Sequence, residues 1–365
     1  MTIQTLFIDQ VIADHPISRK IQDRLGLLPR FVDSHEPVYQ AVAASADPIS
    51  AGKSTLFVTK NKGAFIRPCP GTRHYTCCDY MILHIATFCV MDCSYCILQS
   101  YFHPPLLQYY VNQEDMMAAL DEAFSQQKLR RIGTGEFTDS LIWESIDPVS
   151  EKLIKKFAGQ DQAILELKTK TTHIDHLLPL AHNRKTIMAW SLNTEQVVAS
   201  QERKTTSIEA RLHAAARCQA HGYPLAFHLD PLVLYPGCEQ EYIALLDRLF
   251  NTIHPSHIVW ISLGSFRYMP DLKPIIEDRF PASKMVYGEF IKGMDGKMRY
   301  FKPLRLSLYK ALAGYIMRRA PDLTAYFCME DDEAWQHAFG FTPSRRGGLP
   351  EMLDNAAIQH CRLRR

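Results

Sequence analysis

The segment Phe88-Cys89-Val90-Met91-Asp92-Cys93-Ser94-Tyr95-Cys96 puts three thiols on one short stretch of chain. A C-x3-C-x2-C spacing lets a single loop wrap three corners of an iron–sulfur cubane, for which four thiolates are the usual complement. An incomplete set leaves one iron open to a small molecule that brings its own donor atoms. Structural zinc is a competing reading, but it normally takes four ligands from paired knuckles, and no second knuckle of that spacing follows Cys96. Inert packing is the other, since free cysteine is often buried.

With 365 residues, the chain suits one large α/β barrel with end extensions. The formal net charge of +2 supplies no global field for a polyanion, so any nucleic-acid contact has to come from a local patch. Ten cysteines without a signal-peptide pattern predict a reducing, cytoplasmic compartment. Charge or proline breaks every long apolar run short of the ~20 residues a membrane helix needs.

The pattern along the chain predicts α/β architecture. An apolar run over Tyr80–Phe88 reads as a buried strand with the cysteine loop at its end, where ligands of α/β folds gather. A helix is expected from near Asn112, whose side chain can cap it, and further strands at Arg131–Glu136, Ala163–Leu167, Thr186–Leu192, Leu225–Leu229 and Ile258–Leu263, separated by helical stretches such as Ser207–Ala220 and Glu239–Phe250. Six strands alternating with helices predict a partial (β/α)6 barrel over residues 76–270, all following loops on one rim. Residues 1–75 form an N-terminal extension. Residues 271–365 form a C-terminal extension, with a helix at Leu304–Met317 and a strand at Tyr326–Met329, positioned to cover the barrel.

The cysteine spacing, with aromatic Tyr95 just before Cys96, resembles the radical S-adenosylmethionine superfamily. That resemblance implies a 4Fe-4S cluster on Cys89, Cys93 and Cys96 and S-adenosylmethionine on the open iron. Gly135-Glu136 looks like the superfamily's Gly-Gly-Glu element, with Thr134 at its first position, holding the cofactor's amino group; a solvated strand-end carboxylate is the plainer reading. Lys168-Thr169-Lys170 and Ser191-Leu192-Asn193 close the third and fourth strands. Their ammonium, hydroxyl and amide groups can bind a cofactor carboxylate and ribose, although solvated rim residues would look the same. Cys69, Cys77 and Cys78 with His74 invite a second metal site, but adjacent cysteines seldom share one metal, and packing is favoured. Arg299-Tyr300-Phe301-Lys302-Pro303-Leu304-Arg305 interleaves aromatics with cations, which suits base stacking beside phosphate contacts. A strand-to-helix junction with solvated charges reads equally well there.

Cys93-Ser94-Tyr95-Cys96-Ile97-Leu98-Gln99, Leu167-Lys168-Thr169-Lys170, His182-Asn183, Trp190-Ser191-Leu192-Asn193 and Gly222-Tyr223-Pro224-Leu225-Ala226-Phe227 together resemble the spore photoproduct lyase family over roughly residues 80–260. This implies reductive cleavage of S-adenosylmethionine, hydrogen abstraction by a 5′-deoxyadenosyl radical, and repair of a methylene-bridged thymine dimer in DNA. A donor such as flavodoxin or ferredoxin would supply electrons, and Lys170 and Ser191 would contact the cofactor. Radical chemistry on another nucleobase, peptide or small molecule is an alternative, as is a non-catalytic cluster protein that senses redox state or binds nucleic acid.

Two positions depart from the family. Its hydrogen-returning cysteine aligns with Glu136 in Glu136-Phe137-Thr138-Asp139, and its second tyrosine aligns with Ile97. The expected catalytic set is therefore Tyr95 and Glu136 without the usual thiol, so inefficient repair of the dimer is expected unless the fold brings Cys218 or Cys238 to the rim as a substitute.

Overall fold

The computed structural model describes residues 2–72, 74–126 and 128–363. In chain order its strands are β1 (Thr5–Asp9), β2 (Arg30–Val32), β3 (Thr55–Thr59), β4 (Ile66–Pro68), β5 (Met81–Leu83), β6 (Ala86–Thr87), β7 (Leu107–Tyr110) and β8 (Arg130–Gly133). There follow β9 (Ala163–Thr169), β10 (Thr186–Ser191), β11 (Leu225–Leu232), β12 (Ile258–Ser265), β13 (Arg267–Tyr268), β14 (Phe290–Lys292), β15 (Met298–Tyr300) and β16 (Thr324–Phe327).

The main sheet has eight strands in the order β16-β12-β11-β10-β9-β8-β5-β4. Every residue of β10 and β12 is buried, the signature of parallel strands covered on both faces. Ser207 starts the helix Ile208–Ala220 by accepting the Ala210 N–H at 3.2 Å, so that the chain leaves β10 and re-enters parallel at β11. Between β9 and β10 the connection is built of turns, where a barrel of regular units would carry a helix.

The sheet curls until loops from its two edges touch. The loop after β4 and the loop after β16 belong to opposite edges, yet the Thr76 N–H donates to the Glu330 carbonyl at 3.1 Å. The Arg299 guanidinium also lies 4.0 Å from the centre of the Tyr75 ring. The outcome is an open half-barrel whose gap is bridged by loops.

Two expectations are corrected. The run Tyr80–Phe88 is not one strand: β5 stays in the main sheet, while β6 crosses over to pair antiparallel with β7 in a second sheet of order β2-β1-β3-β7-β6. Residues 1–75 are woven into both sheets, with β3 paired to β7 and β4 to β5. Within residues 271–365, β16 joins the main sheet parallel to β12. Asn112 does precede the helix Gln113–Ser125, but its side chain bonds Asn61 and Asp115 in place of a backbone cap.

Candidate active site

The cysteine loop leaves β6 through Phe88, whose φ of 67° is a left-handed conformation uncommon for an aromatic residue. Its neighbours hold that geometry. Lys53, a buried residue of the helix Pro48–Ser54, donates from Nζ to the Cys89 carbonyl at 3.0 Å and the Met91 carbonyl at 2.5 Å. Gln99 Nε2 donates to the carbonyls of Cys93 and Ser94 at 3.1 and 3.2 Å. Arg279 bridges Asp92 at 3.1 Å and Gln99. Backbone oxygens are thus consumed by the scaffold and the thiols are left for other partners. Cys89 and Cys93 are buried and Cys96 is partly exposed; burial pushes the Cys89 thiol up to about 12 and the Cys93 thiol higher than usual.

The three cysteines face a cavity of about 350 Å³ inside the curled sheet, within the size range of small-molecule sites. On its rim Glu136 and Lys168 form an ion pair. Burial works against the charged form of Lys168, but Glu136 and Glu166 outweigh it and hold the ammonium above its ordinary range. Asp139 fixes the turn after β9 by accepting the Lys170 N–H at 2.8 Å and the Thr169 hydroxyl at 2.8 Å. The Lys170 ammonium stands 5.7 Å from the centre of the Tyr95 ring. The Tyr95 hydroxyl donates to Glu202, whose other oxygen accepts from Arg211 at 2.5 Å, and Arg211 also donates to the Ser191 carbonyl at 3.0 Å. Cluster loop and rim are therefore one buried network. Asp230 and Arg267 complete the far rim as a two-pronged pair, 3.1 Å in each arm.

Among the described residues, no three His, Cys, Asp or Glu side chains converge as ligands of a single ion. A cubane, whose thiolate ligands sit on separate irons, asks for a wider set. Three soft donors on one rigid loop, facing a cavity with carboxylate and ammonium groups opposite, fit a 4Fe-4S cluster with an amino-acid-bearing cofactor.

A family model described as spore photoproduct lyase matches residues 13–326. The chain belongs to the spore photoproduct lyase family. It is 26% identical over 328 residues to the spore photoproduct lyase of Bacillus subtilis, covering 86% of this chain and 94% of that protein. Identity to the Geobacillus enzyme of the same name is 30% over 206 residues, covering 55% of this chain and 60% of the relative. A solved spore photoproduct lyase variant with bound AdoMet and dinucleoside spore photoproduct shares the fold, with a TM-score of 0.78 at 24% identity over 90% of this chain and 99% of that one. The half-barrel is thus the partial barrel of radical S-adenosylmethionine enzymes, and this member of the spore photoproduct lyase family is such an enzyme. Among the described residues no helix is long and apolar enough to cross a membrane.

Of the residues expected in the site, Cys89, Cys93, Cys96, Tyr95, Gly135, Glu136, Lys170 and Ser191 all line the cavity. Gly135 is needed for packing as much as for a ligand: a Cβ there would lie 2.8 Å from the Lys168 Cβ. Asn193 is turned into the fold, donating to the Pro231 carbonyl at 2.8 Å and accepting from the Tyr242 hydroxyl at 2.7 Å. The nucleic-acid patch at Arg299–Arg305 is also corrected. Arg299 is buried against Asp295, Arg305 against Glu330, and Lys302 is paired with Asp331 at 2.8 Å. Tyr300 is buried as well, accepting the Leu234 N–H at 3.3 Å. Those cations are already neutralised within the fold.

Cys218 packs in the core under its helix and Cys238 begins the helix Cys238–Thr252, so neither of the expected substitute thiols reaches the cavity. Three other thiols do: Cys69, Cys78 and Cys328. The sequence carries no local sign of this, because Cys328 comes to the others only through closure of the sheet. Glu202 and Arg211 are missed for the same reason, being joined by tertiary packing.

Proposed function

We propose that this protein repairs the methylene-bridged thymine dimer of DNA, splitting it into two thymines. The supporting observation is one cavity that holds the three-cysteine loop on one wall and an aromatic wall of Tyr80, Trp260 and Tyr326 on another. Flat π faces suit nucleobases. Relatives named spore photoproduct lyase align over most of the chain. Cys89, Cys93 and Cys96 would hold the cluster; Glu136, Lys170 and Ser191 would hold the cofactor. When bound, cluster and S-adenosylmethionine supply the radical that removes a substrate hydrogen, with electrons from a donor of the flavodoxin or ferredoxin class. The chain's own part is to orient and to exclude water. Tyr95, its hydroxyl tied to Glu202, forms the wall between cluster loop and rim.

The test is anaerobic reconstitution followed by incubation with the dinucleotide dimer. Formation of thymines together with 5′-deoxyadenosine is expected. 5′-Deoxyadenosine without thymine would redirect the reading to another nucleobase, peptide or small molecule. Neither product, with an intact cluster, would favour a sensor. Alanine at any of the three cluster cysteines should abolish both products.

A further inference from the structure

We propose that Cys328 is the thiol that returns a hydrogen atom to the substrate radical, in the place of the thiol that Glu136 and its neighbours lack. This deepens the repair reading and rests on it. Opening the methylene bridge leaves a carbon radical on one thymine, which must gain a hydrogen atom to become a methyl group. A carboxyl O–H or an alkyl C–H at Glu136 or Ile97 is too strong a bond to supply it, whereas a thiol S–H is weak enough.

The architecture favours Cys328 over its neighbours. It directly follows β16, and its N–H continues the sheet by donating to the Leu263 carbonyl at 3.1 Å. Tyr326 lies two residues earlier, hence on the same face, and both line the cavity, while Phe327 between them points into the core against Tyr309 and Trp335. Cys328 also lies within electrostatic reach of Arg267, Asp230, Glu136 and Lys168, the rim groups opposite the cluster loop. Burial pushes its thiol up to about 11, so the hydrogen is present at neutral pH.

A second residue lining the same cavity, Tyr80, points to a ligand. The Tyr80 hydroxyl is buried without a hydrogen-bond partner among the described residues. Its ring passes over Gly133, where a Cβ would come within 1.6 Å of that oxygen. A buried polar group is costly unless satisfied, and a thymine carbonyl bound in the cavity would satisfy it.

The step balances as follows. The S–H bond of Cys328 breaks homolytically and a C–H bond forms on the thymine methylene. The sulfur radical then takes one electron from the flavodoxin- or ferredoxin-class donor and one proton from solvent, which restores the thiol.

Two measurements test this. In cluster-free protein, N-ethylmaleimide labelling read by peptide mass spectrometry should show Cys328 protected by the dinucleoside spore photoproduct, and an unchanged labelling rate overturns the assignment. In reconstituted enzyme in D2O, the product thymine methyl should carry deuterium. The Cys328→Ala and Cys328→Ser variants should still form 5′-deoxyadenosine but lose clean labelled thymine, whereas Cys238→Ala should match the unmodified protein. Full labelled thymine from both Cys328 variants overturns the proposal, as does loss confined to Cys69→Ala, which would move the role to that thiol. Absence of thymine from the unmodified protein overturns the repair reading and this proposal together, a pattern distinct from failure of Cys328 alone.

Discussion

The ammonium of Lys53 holds the carbonyl oxygen of Cys89 at 3.0 Å, so a helix of the N-terminal sheet region fixes the first cysteine of the triplet. The same nitrogen serves the Met91 carbonyl and lies 3.7 Å from Asp92. Lys53→Met preserves most of the side chain's bulk but strands buried acceptors, and a charge-assisted hydrogen bond is typically worth about 1.5–3 kcal/mol. We expect unfolding in urea at a lower midpoint and poorer iron incorporation on reconstitution. Iron content and midpoint equal to those of the unmodified protein would show that the loop keeps its shape unaided.

Glu136 and Lys168 pair across the rim, so a cofactor ammonium arriving at Glu136 must share that carboxylate. Glu136→Gln keeps the shape and removes the charge. Loss of one charge-assisted hydrogen bond at the usual strength raises the S-adenosylmethionine dissociation constant by roughly one to two orders of magnitude. Titration of the reconstituted protein reads this directly. An unchanged constant would leave Glu136 as the partner of Lys168 alone.

How much of this was legible in the sequence depends on distance along the chain. The cysteine triplet, the parallel strands and the strand-end residues Lys170 and Ser191 follow from local spacing and alternation, and the structure keeps them together. Asn193 and Arg299 looked like binding residues because their types suit binding. Their partners, Tyr242 and Asp295, are chosen by packing and are invisible to residue type. Cys328 had the opposite fate: an unremarked residue reaches the cavity because β16 extends the sheet and the curl brings its edges together.

Acid should weaken the seam beside the cavity only once the pH falls below about 3.8. Burial tends to raise the Asp295 carboxyl, but hydrogen bonds from Arg299 and Lys297 outweigh it and lower its pKa from 3.8 to about 2. A group depressed in the folded state contributes stability above its unfolded pKa and loses that contribution as pH falls through the folded one. Asp295→Asn should therefore be less stable than the unmodified protein at pH 7, with the gap narrowing as pH falls below 3.8 toward about 2. Denaturant midpoints across that range decide it. A gap constant with pH would mean that the ion pair with Arg299 is not its source.

The last prediction concerns Cys77, the exposed thiol of the loop that bridges the barrel's edges. A hydrogen bond from Cys78 stabilises its thiolate ahead of the opposing cost of burial, the Asp79 backbone adds to it, and the thiol falls from 9.0 to about 6. The thiolate is the reactive form, so alkylation of Cys77 by iodoacetamide should rise with pH through a midpoint near 6 and be close to its plateau at neutral pH. Cys78→Ala removes the donor and should move that midpoint up toward 9.0. Cys69 and Cys328, held protonated by burial, should react more slowly than Cys77 throughout the same range. Peptide-resolved alkylation rates on the unmodified chain and Cys78→Ala read all three thiols in one experiment. If Cys77 reacted with the midpoint of an ordinary thiol, and Cys78→Ala left it there, the hydrogen bond between the two adjacent cysteines would play no part in its reactivity.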